Sequence, residues 1–364
     1  MGARKLAFDK MLFTITIALV LGGICMVYSA SALVAEREFS NPHHYLLKQA
    51  VAAGIGLLLM VGAMGIDYRR YNRPSLVFGI LAGTVLLLLL VLVIDTERDF
   101  QRWFRFGPFA LQPSEGAKLA VILFFAYLLD RRAEQVGSVR LVLLPAAAVL
   151  GALVGLILMQ PDLGTAISLG LIGVALLFLA GLRSAWIAGA AAAALPVLSI
   201  LVWKVEYWRL RILAFIDPWR DQLGYGFQSI QSLIAVSTGG VLGVGFVESH
   251  QKRFFIPEPH TDFIFAVLGE ELGLAGCLVL LALFAGLTWR GLRAALRAPD
   301  RFGFFLAAGI TIQIALQALI NISVVLSLLP TKGMPLPFIS SGGSSLLVTL
   351  TSVGVLLNIS QHDS

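Results

Sequence analysis

The sequence predicts an all-α polytopic membrane protein of about ten transmembrane helices, with cytoplasmic N- and C-termini and one long extracytoplasmic loop between helices 7 and 8. Three observations carry this expectation. Of 364 residues, 58% are hydrophobic and only 13% charged, with a mean hydropathy of +0.87, far more apolar side chain than a soluble domain can use. Apolar runs long enough to cross a bilayer recur along the whole chain. The basic residues fall mainly on alternate connections between those runs.

Taken in order, the runs cover 11–33, 45–66, 74–94, 139–159, 163–182, 184–203, 262–289, 303–329 and 342–359. The first is too long for the core of a signal peptide, so an uncleaved helix is expected despite the cleavage-like Ala30-Ser31-Ala32. A shorter run, 114–129, lies between Pro113 and Asp130-Arg131-Arg132 and spans the hydrocarbon only barely. Counting it makes the number of spans even and settles the charge bias. The short inner segments then carry Arg4, Lys5, Lys10, Arg69, Arg70, Arg73, Arg131, Arg132, Arg140, Arg183, Arg290, Arg293, Arg297 and Arg301. The short outer loops carry chiefly Arg37, Lys48, Arg98, Arg102, Arg105 and Lys332. This use of basic residues argues for membrane orientation and against nucleic acid as a partner. Cys25 and Cys277 lie inside apolar runs and read as small core residues; no C-x-x-C, histidine cluster or phosphate loop is present.

The whole chain, 1–364, reads as a single membrane domain, and its polar chemistry falls on the outer face: 95–118, the turn at Gln160-Pro161-Asp162, the long loop 204–261, and 330–345. Within the long loop, Tyr207–Trp219 mixes Arg with Trp, Leu, Ile and Phe, the pattern of an interfacial helix ending before Pro218. The Gly-rich apolar stretch over 220–250 reads as a re-entrant or surface-lying element, because non-helical backbone at that depth has to be buried in protein.

Four outer motifs hold candidate residues. Glu115 and Lys118, three apart after Pro113-Ser114, can pair on one helix face, as a structural salt bridge or as part of a site. Asp162 suits a helix cap better than a catalyst. Asp262 either caps a helix or is functional, and a helix starting there would place Asp262, Ala266 and Glu270 on one face. His260, two residues earlier, reads as a loop histidine. Glu271 reads as structural beside the close-packing Gly269-x-x-x-Gly273, and Glu270 stays open. Three prolines after Lys332 precede Ser-Ser-Gly-Gly-Ser-Ser, where Ser344 and Ser345 open the last span, a helix start suited to a phosphate. Outward carboxylates, lysines and such a helix start serve a lipid-linked diphosphate sugar or a transporter's substrate path equally well.

RWFRFGPFALQPSEGAKLA, QPDLGTA, DPWRDQLGYGFQSIQS, PEPHTDFIFAVLGEELG and LPTKGMPLPFISSGGSS stand in an order that resembles the SEDS (shape, elongation, division, sporulation) membrane proteins over essentially the whole length. Thr331-Lys332-Gly333, and Gly269 before the two glutamates, look more like the cell-division branch than the elongation branch. Ser341, where Tyr is frequent, and Gly116, where a larger residue is common, depart from the pattern without removing a charge.

The resemblance implies a peptidoglycan glycosyltransferase of the cytoplasmic membrane. It would polymerise lipid II on the outer side and work with a class B penicillin-binding protein (a transpeptidase) and other division proteins. It puts the essential aspartate at Asp262, the charged pair of the Q-P-S-E motif at Glu115 and Lys118, and the last-loop lysine at Lys332. The implied chemistry is one inverting displacement, with Asp262 as base and Lys118 or Lys332 beside the leaving undecaprenyl diphosphate. It leaves a divalent cation, Mg2+ or Mn2+, open, with Asp262 or Glu115 as its candidate ligands. A lipid II flippase and a non-catalytic scaffold for the transpeptidase are the alternatives.

Overall fold

A computed structural model describes residues 8–94, 102–106, 109–252, 258–331 and 333–362. Ten helices account for the expected spans: α1 (Lys10–Phe39), α2 (His44–Met64), α3 (Pro74–Ile94), α4 (Pro113–Arg132), α5 (Leu144–Met159, entered through a π-helical turn at Val139–Leu143), α6 (Leu163–Leu179), α7 (Ser184–Lys204), α10 (Ile264–Leu296), α11 (Arg301–Val325) and α12 (Gly343–Ser360). Among the described residues, eight of these are long and apolar enough to cross a membrane. The other two are α6, with 17 residues, and α4, whose 20 residues include Glu115 and Lys118. Two shorter helices, α8 (Glu206–Ile216) and α9 (Phe227–Thr238), lie in the long loop, and a small hairpin pairs β1 (Phe104–Phe106) with β2 (Phe109–Leu111).

The two chain ends meet. Asp9 caps α1 by accepting from Leu12 N, and its own N–H donates to Ser360 Oγ at 3.2 Å. The same end of the bundle holds the ion pairs Arg290–Asp9 and Arg69–Asp300. The opposite end carries α8, α9 and the β-hairpin. In the middle, α11 and α12 are the most enclosed helices, with α4 and α10 packed on α11 and α2 packed on α12. By contrast, α7 buries none of its side chains.

The span expected at 262–289 is broken. Inside α10, Gly273 takes φ 63° and ψ −164°, which only glycine adopts easily. The break frees backbone groups that an intact helix would pair internally. The Gly-rich segment 239–245 takes them up. Val244 N donates to Glu270 O at 3.0 Å and Gly245 N to Glu271 O at 3.1 Å, while Leu274 N donates to Gly240 O at 2.9 Å and Ala275 N to Val241 O at 3.0 Å. A Cβ on Gly239 would lie 2.0 Å from Gly269 O, so the two backbones touch. Within 220–250, the irregular 239–245 backbone is satisfied by protein, as expected of a re-entrant element.

Both glutamates beside the break serve it. Glu270 accepts from Ser249 Oγ, from His250 N at 2.9 Å and from Gln251 N at 3.2 Å. Glu271 pairs with Lys252 Nζ at 2.6 Å and accepts from Ser29 Oγ of α1 at 2.6 Å.

This geometry sets three expectations. Gly239→Ala should lower stability by about 1–3 kcal/mol, because the added carbon meets backbone rather than a flexible side chain. Gly151→Ala on α5, with nothing within 4 Å, should leave the melting temperature in detergent unchanged. Lys252→Met leaves a buried carboxylate without its cation and should cost roughly 3–5 kcal/mol, and adding Glu271→Gln should restore most of the lost melting temperature.

Candidate active site

The turn before α10 carries the central carboxylate. Because α10 begins at Ile264 with Phe263 at its cap, Asp262 lies outside the helix, and the shared face with Ala266 and Glu270 does not form. Nor does the Asp262 side chain cap α10. Its main-chain carbonyl accepts from Asn321 Nδ2 at 2.8 Å, whereas its carboxylate takes no hydrogen bond or ion pair from the described residues. The carboxylate is half-buried and lies against Gly333, where a Cβ would be 3.3 Å from Oδ2. Burial pushes its pKa up to about 7, against the pull of Arg211 and Arg102 and with the push of Glu258 and Asp162.

Arg211, Arg102 and Asp162 line a cleft at the end of the bundle that bears the long loop, and Gly333, beside the Asp262 carboxylate, lines it too. The start of α6 contributes Asp162, Leu163, Gly164 and Ile167, α7 contributes Leu198 and Val202, and α8 contributes Tyr207, Trp208, Arg211 and Ile212. Arg102, Thr331 and Gly333 complete the wall. Arg211 sits 4.4 Å over the Tyr207 ring and donates to Thr331 O at 3.1 Å. Burial pulls its pKa down, but a guanidinium stays charged. Asp162 is engaged as the cap of α6, accepting from Thr165 N at 3.1 Å and Thr165 Oγ1 at 2.8 Å, with Gln112 Nε2 at 3.3 Å. Arg102 donates to Gln160 O and Pro161 O and fixes that turn.

Glu115 and Lys118 stand elsewhere. They pair at 2.7 Å in the interior, Lys118 only 1% exposed, and Lys118 Nζ also donates to Gln317 Oε1 at 2.7 Å. Gln317 Nε2 donates in turn to Pro335 O at 2.9 Å and reaches Ser345 Oγ at 3.4 Å. Ser344 is buried, and its hydroxyl has no partner. The start of α12 is thus roofed by the 334–341 segment, and neither Ser344, Ser345, Glu115 nor Lys118 lines the cleft. The expectation that Lys118 and the serines face a diphosphate does not match this arrangement, because their polar atoms point into a closed interior. His260 is buried against the Tyr45 ring, 4.2 Å between centroids, and desolvation lowers its pKa to about 4, which keeps it neutral. Glu270 belongs to the re-entrant element. Lys332 lies outside the described residues.

Two kinds of residue escaped the motif reading. Arg211 was seen only as part of an interfacial helix, although an arginine four residues after Tyr207 on such a helix signals a stacked, inward-facing cation. Gln313, Gln317 and Asn321 are amides four apart in an otherwise apolar span, a stripe that marks a polar face toward the bundle interior.

The donor set does not build a resident divalent-cation site. Among the described residues no three His, Cys, Asp or Glu converge. Asp162 is occupied as a cap and Glu115 is tied to Lys118, which leaves Asp262 alone.

Residues 9–364 match the family model of the FtsW, RodA and SpoVE cell cycle proteins. Among similar curated proteins, a probable peptidoglycan glycosyltransferase FtsW of Geobacter metallireducens is 46% identical over 97% of this chain and 94% of its own. The stage V sporulation protein E of Bacillus subtilis is 42% identical over 100% and 99%. Among solved structures, a chain from a peptidoglycan synthase complex that coordinates polymerisation and crosslinking superposes with a TM-score of 0.80 at 33% identity, covering 98% of both chains. The rod shape determining protein RodA of Thermus thermophilus gives 0.71 at 29% identity over 98% and 97%. The match runs along essentially the full length of this chain and of these relatives, and the chain belongs to the FtsW, RodA and SpoVE family of cell cycle proteins.

Proposed function

We propose that this chain is a peptidoglycan glycosyltransferase that polymerises lipid II into β-1,4 glycan strands during cell division. One observation carries the reading: the Asp262 carboxylate, free of ion pairs among the described residues, lies against Gly333 at the edge of a cleft that Arg211 lines. A base and an anion-holding cation at one site are what an inverting displacement of a diphosphate requires. The name of the Geobacter relative and the division branch to which the motifs point support the same activity.

In the proposed step Asp262 takes the proton from the acceptor sugar's 4-hydroxyl. The oxygen attacks the anomeric carbon of the donor, the bond from that carbon to the diphosphate breaks, and undecaprenyl diphosphate leaves with the electron pair. Inversion converts the α-linked donor to a β-linked product. Arg211 holds the diphosphate, the role the family resemblance left to Lys118, Lys332 or a divalent cation. Lys118, with Glu115 and Gln317, instead braces α4 against α11. Ile167, Leu198 and Val202 give the cleft an apolar wall suited to an isoprenoid tail.

The cleft end is read as extracytoplasmic, because the opposite end holds most of the short-loop arginines. A class B penicillin-binding protein is the proposed partner, on the strength of the neighbouring synthase complex, which couples polymerisation to crosslinking. The flippase alternative needs a path between the two ends. The centre is instead filled by Leu306, Ile310 and Ile314 of α11 and by Val353, Leu356 and Leu357 of α12, all buried.

Three measurements with purified protein and lipid II test this. Asp262→Asn should lower the polymerisation rate at least about 100-fold while the melting temperature holds. A variant that still makes full-length glycan would sink the base assignment. The base acts when deprotonated, so the wild-type rate should be flat above about pH 7 and fall as the pH drops below it. Arg211→Gln removes the cation that pulls the Asp262 pKa down, so the acid limb should move to higher pH and the plateau should drop about tenfold or more. A limb that stays in place would mean that Arg211 does not act on Asp262.

A further inference from the structure

The geometry points to Asn321 as a positioning residue that fixes the Asp262 turn against the cleft that Arg211 lines. This rests on the glycosyltransferase reading above. Asn321 lies near the end of α11 and is 2% exposed. Its single Nδ2 donates to Asp262 O and to Met334 O, both at 2.8 Å. The first bond holds the main chain of the aspartate itself. The second holds Met334, next to Gly333, which lies against the Asp262 carboxylate and lines the cleft with Arg211 and with Thr331, whose carbonyl accepts from Arg211 at 3.1 Å. One amide therefore ties the main chain of the aspartate to the residue that follows Gly333 in the cleft wall.

The neighbouring contacts show why this amide is needed. The turn is stitched to the 334–341 segment farther along, by Ser340 Oγ to Thr261 O at 2.6 Å and by Ser341 N to His260 O at 2.8 Å. Those bonds stop one residue short of Asp262. Beyond them no helix cap restrains the aspartate, because Phe263 caps α10 without a side-chain bond. The Asn321 carbonyl oxygen is buried without a partner among the described residues. A side chain that leaves its acceptor unsatisfied at this depth is retained for its donor. Its two N–H bonds are that donor's whole capacity.

Asn358 supplies a matched control. It too is a buried amide with two bonds, from Tyr68 N at 2.9 Å and to Met64 O at 2.8 Å, but at the other end of the bundle. Asn321→Leu, Asn358→Leu, Asp262→Asn and wild type would be purified as full-length chains, alone and with a class B penicillin-binding protein. Initial rates would be read over a range of lipid II concentrations and normalised to folded protein. Asn321→Leu should lower kcat by about 10- to 100-fold and change KM by less than about threefold, since a misplaced base fails in the transition state rather than in binding. Asn358→Leu should lower the melting temperature while kcat per folded molecule stays within about threefold of wild type. If Asn321→Leu is recovered unfolded, Asn321→Ser, shorter and with one donor, should show the same selective loss of kcat.

The inference is overturned if the folded Asn321 variant keeps its kcat, if only KM rises, or if Asn358→Leu loses kcat equally. An active Asp262→Asn would bring down the base reading and this inference together. An inactive Asp262→Asn beside a fully active Asn321 variant would remove this inference alone.

Discussion

Backbone hydrogen bonds inside a bilayer have no water to fall back on, and the break in α10 makes that constraint visible. At Gly273 the helix gives up its internal partners, and the 239–245 segment replaces them bond for bond. That exchange fixes where the re-entrant element sits. It also makes the first turns of α10, from Ile264 to Leu272, a short rigid piece held from the side. Glu270 and Glu271 extend the grip by capping the 249–252 turn and by pairing with Lys252. The turn that carries Asp262 is the free edge of this piece, so its position follows from the packing below it.

Charge is sorted by the same logic. A charge enclosed in protein at membrane depth has to be matched, and Lys118–Glu115 and Lys252–Glu271 are both close, dry pairs. A charge left unmatched belongs where a ligand or water can reach it. Asp262 is that group among the carboxylates of the cleft, and desolvation without a direct ion pair is what brings its pKa near neutrality. Asp162, a few residues of wall away, is held by three donors and works as a cap.

Much of this was legible in the sequence. Hydropathy and arginine placement gave the ten spans, because both depend on residue type alone. The pairing of Glu115 with Lys118 follows from a spacing of three, and the Asp162 cap follows from its place before an apolar run. What did not follow from spacing was where each motif faces. Ser344 and Ser345 read as a helix start suited to a phosphate while α12 was taken alone, but the 334–341 segment folds over that start and Gln317 fills the gap. Asp262 read as a cap or a functional group at a helix start, whereas it precedes the Phe263 cap and its carbonyl accepts from Asn321, 59 positions later. Such long-range contacts leave only a faint trace in the chain, here a row of amides one turn apart on α11.

The separation of the two polar groups follows from what each has to do. A lysine buried against Glu115 and Gln317 would have to break two short bonds before it could meet a diphosphate, and the glutamate left behind would be an uncompensated charge. An arginine on an interfacial helix meets no such penalty. Arg211 uses one bond to Thr331 O and one ring face, and the rest of its guanidinium fork stays open to the cleft. The interior pair therefore keeps α4 and α11 in register, and the mobile chemistry is left to groups at the rim. On this arrangement the amides of α11 are the link between the two. Gln317 belongs to the dry pair and Asn321 to the cleft, one helical turn apart on a single rigid helix.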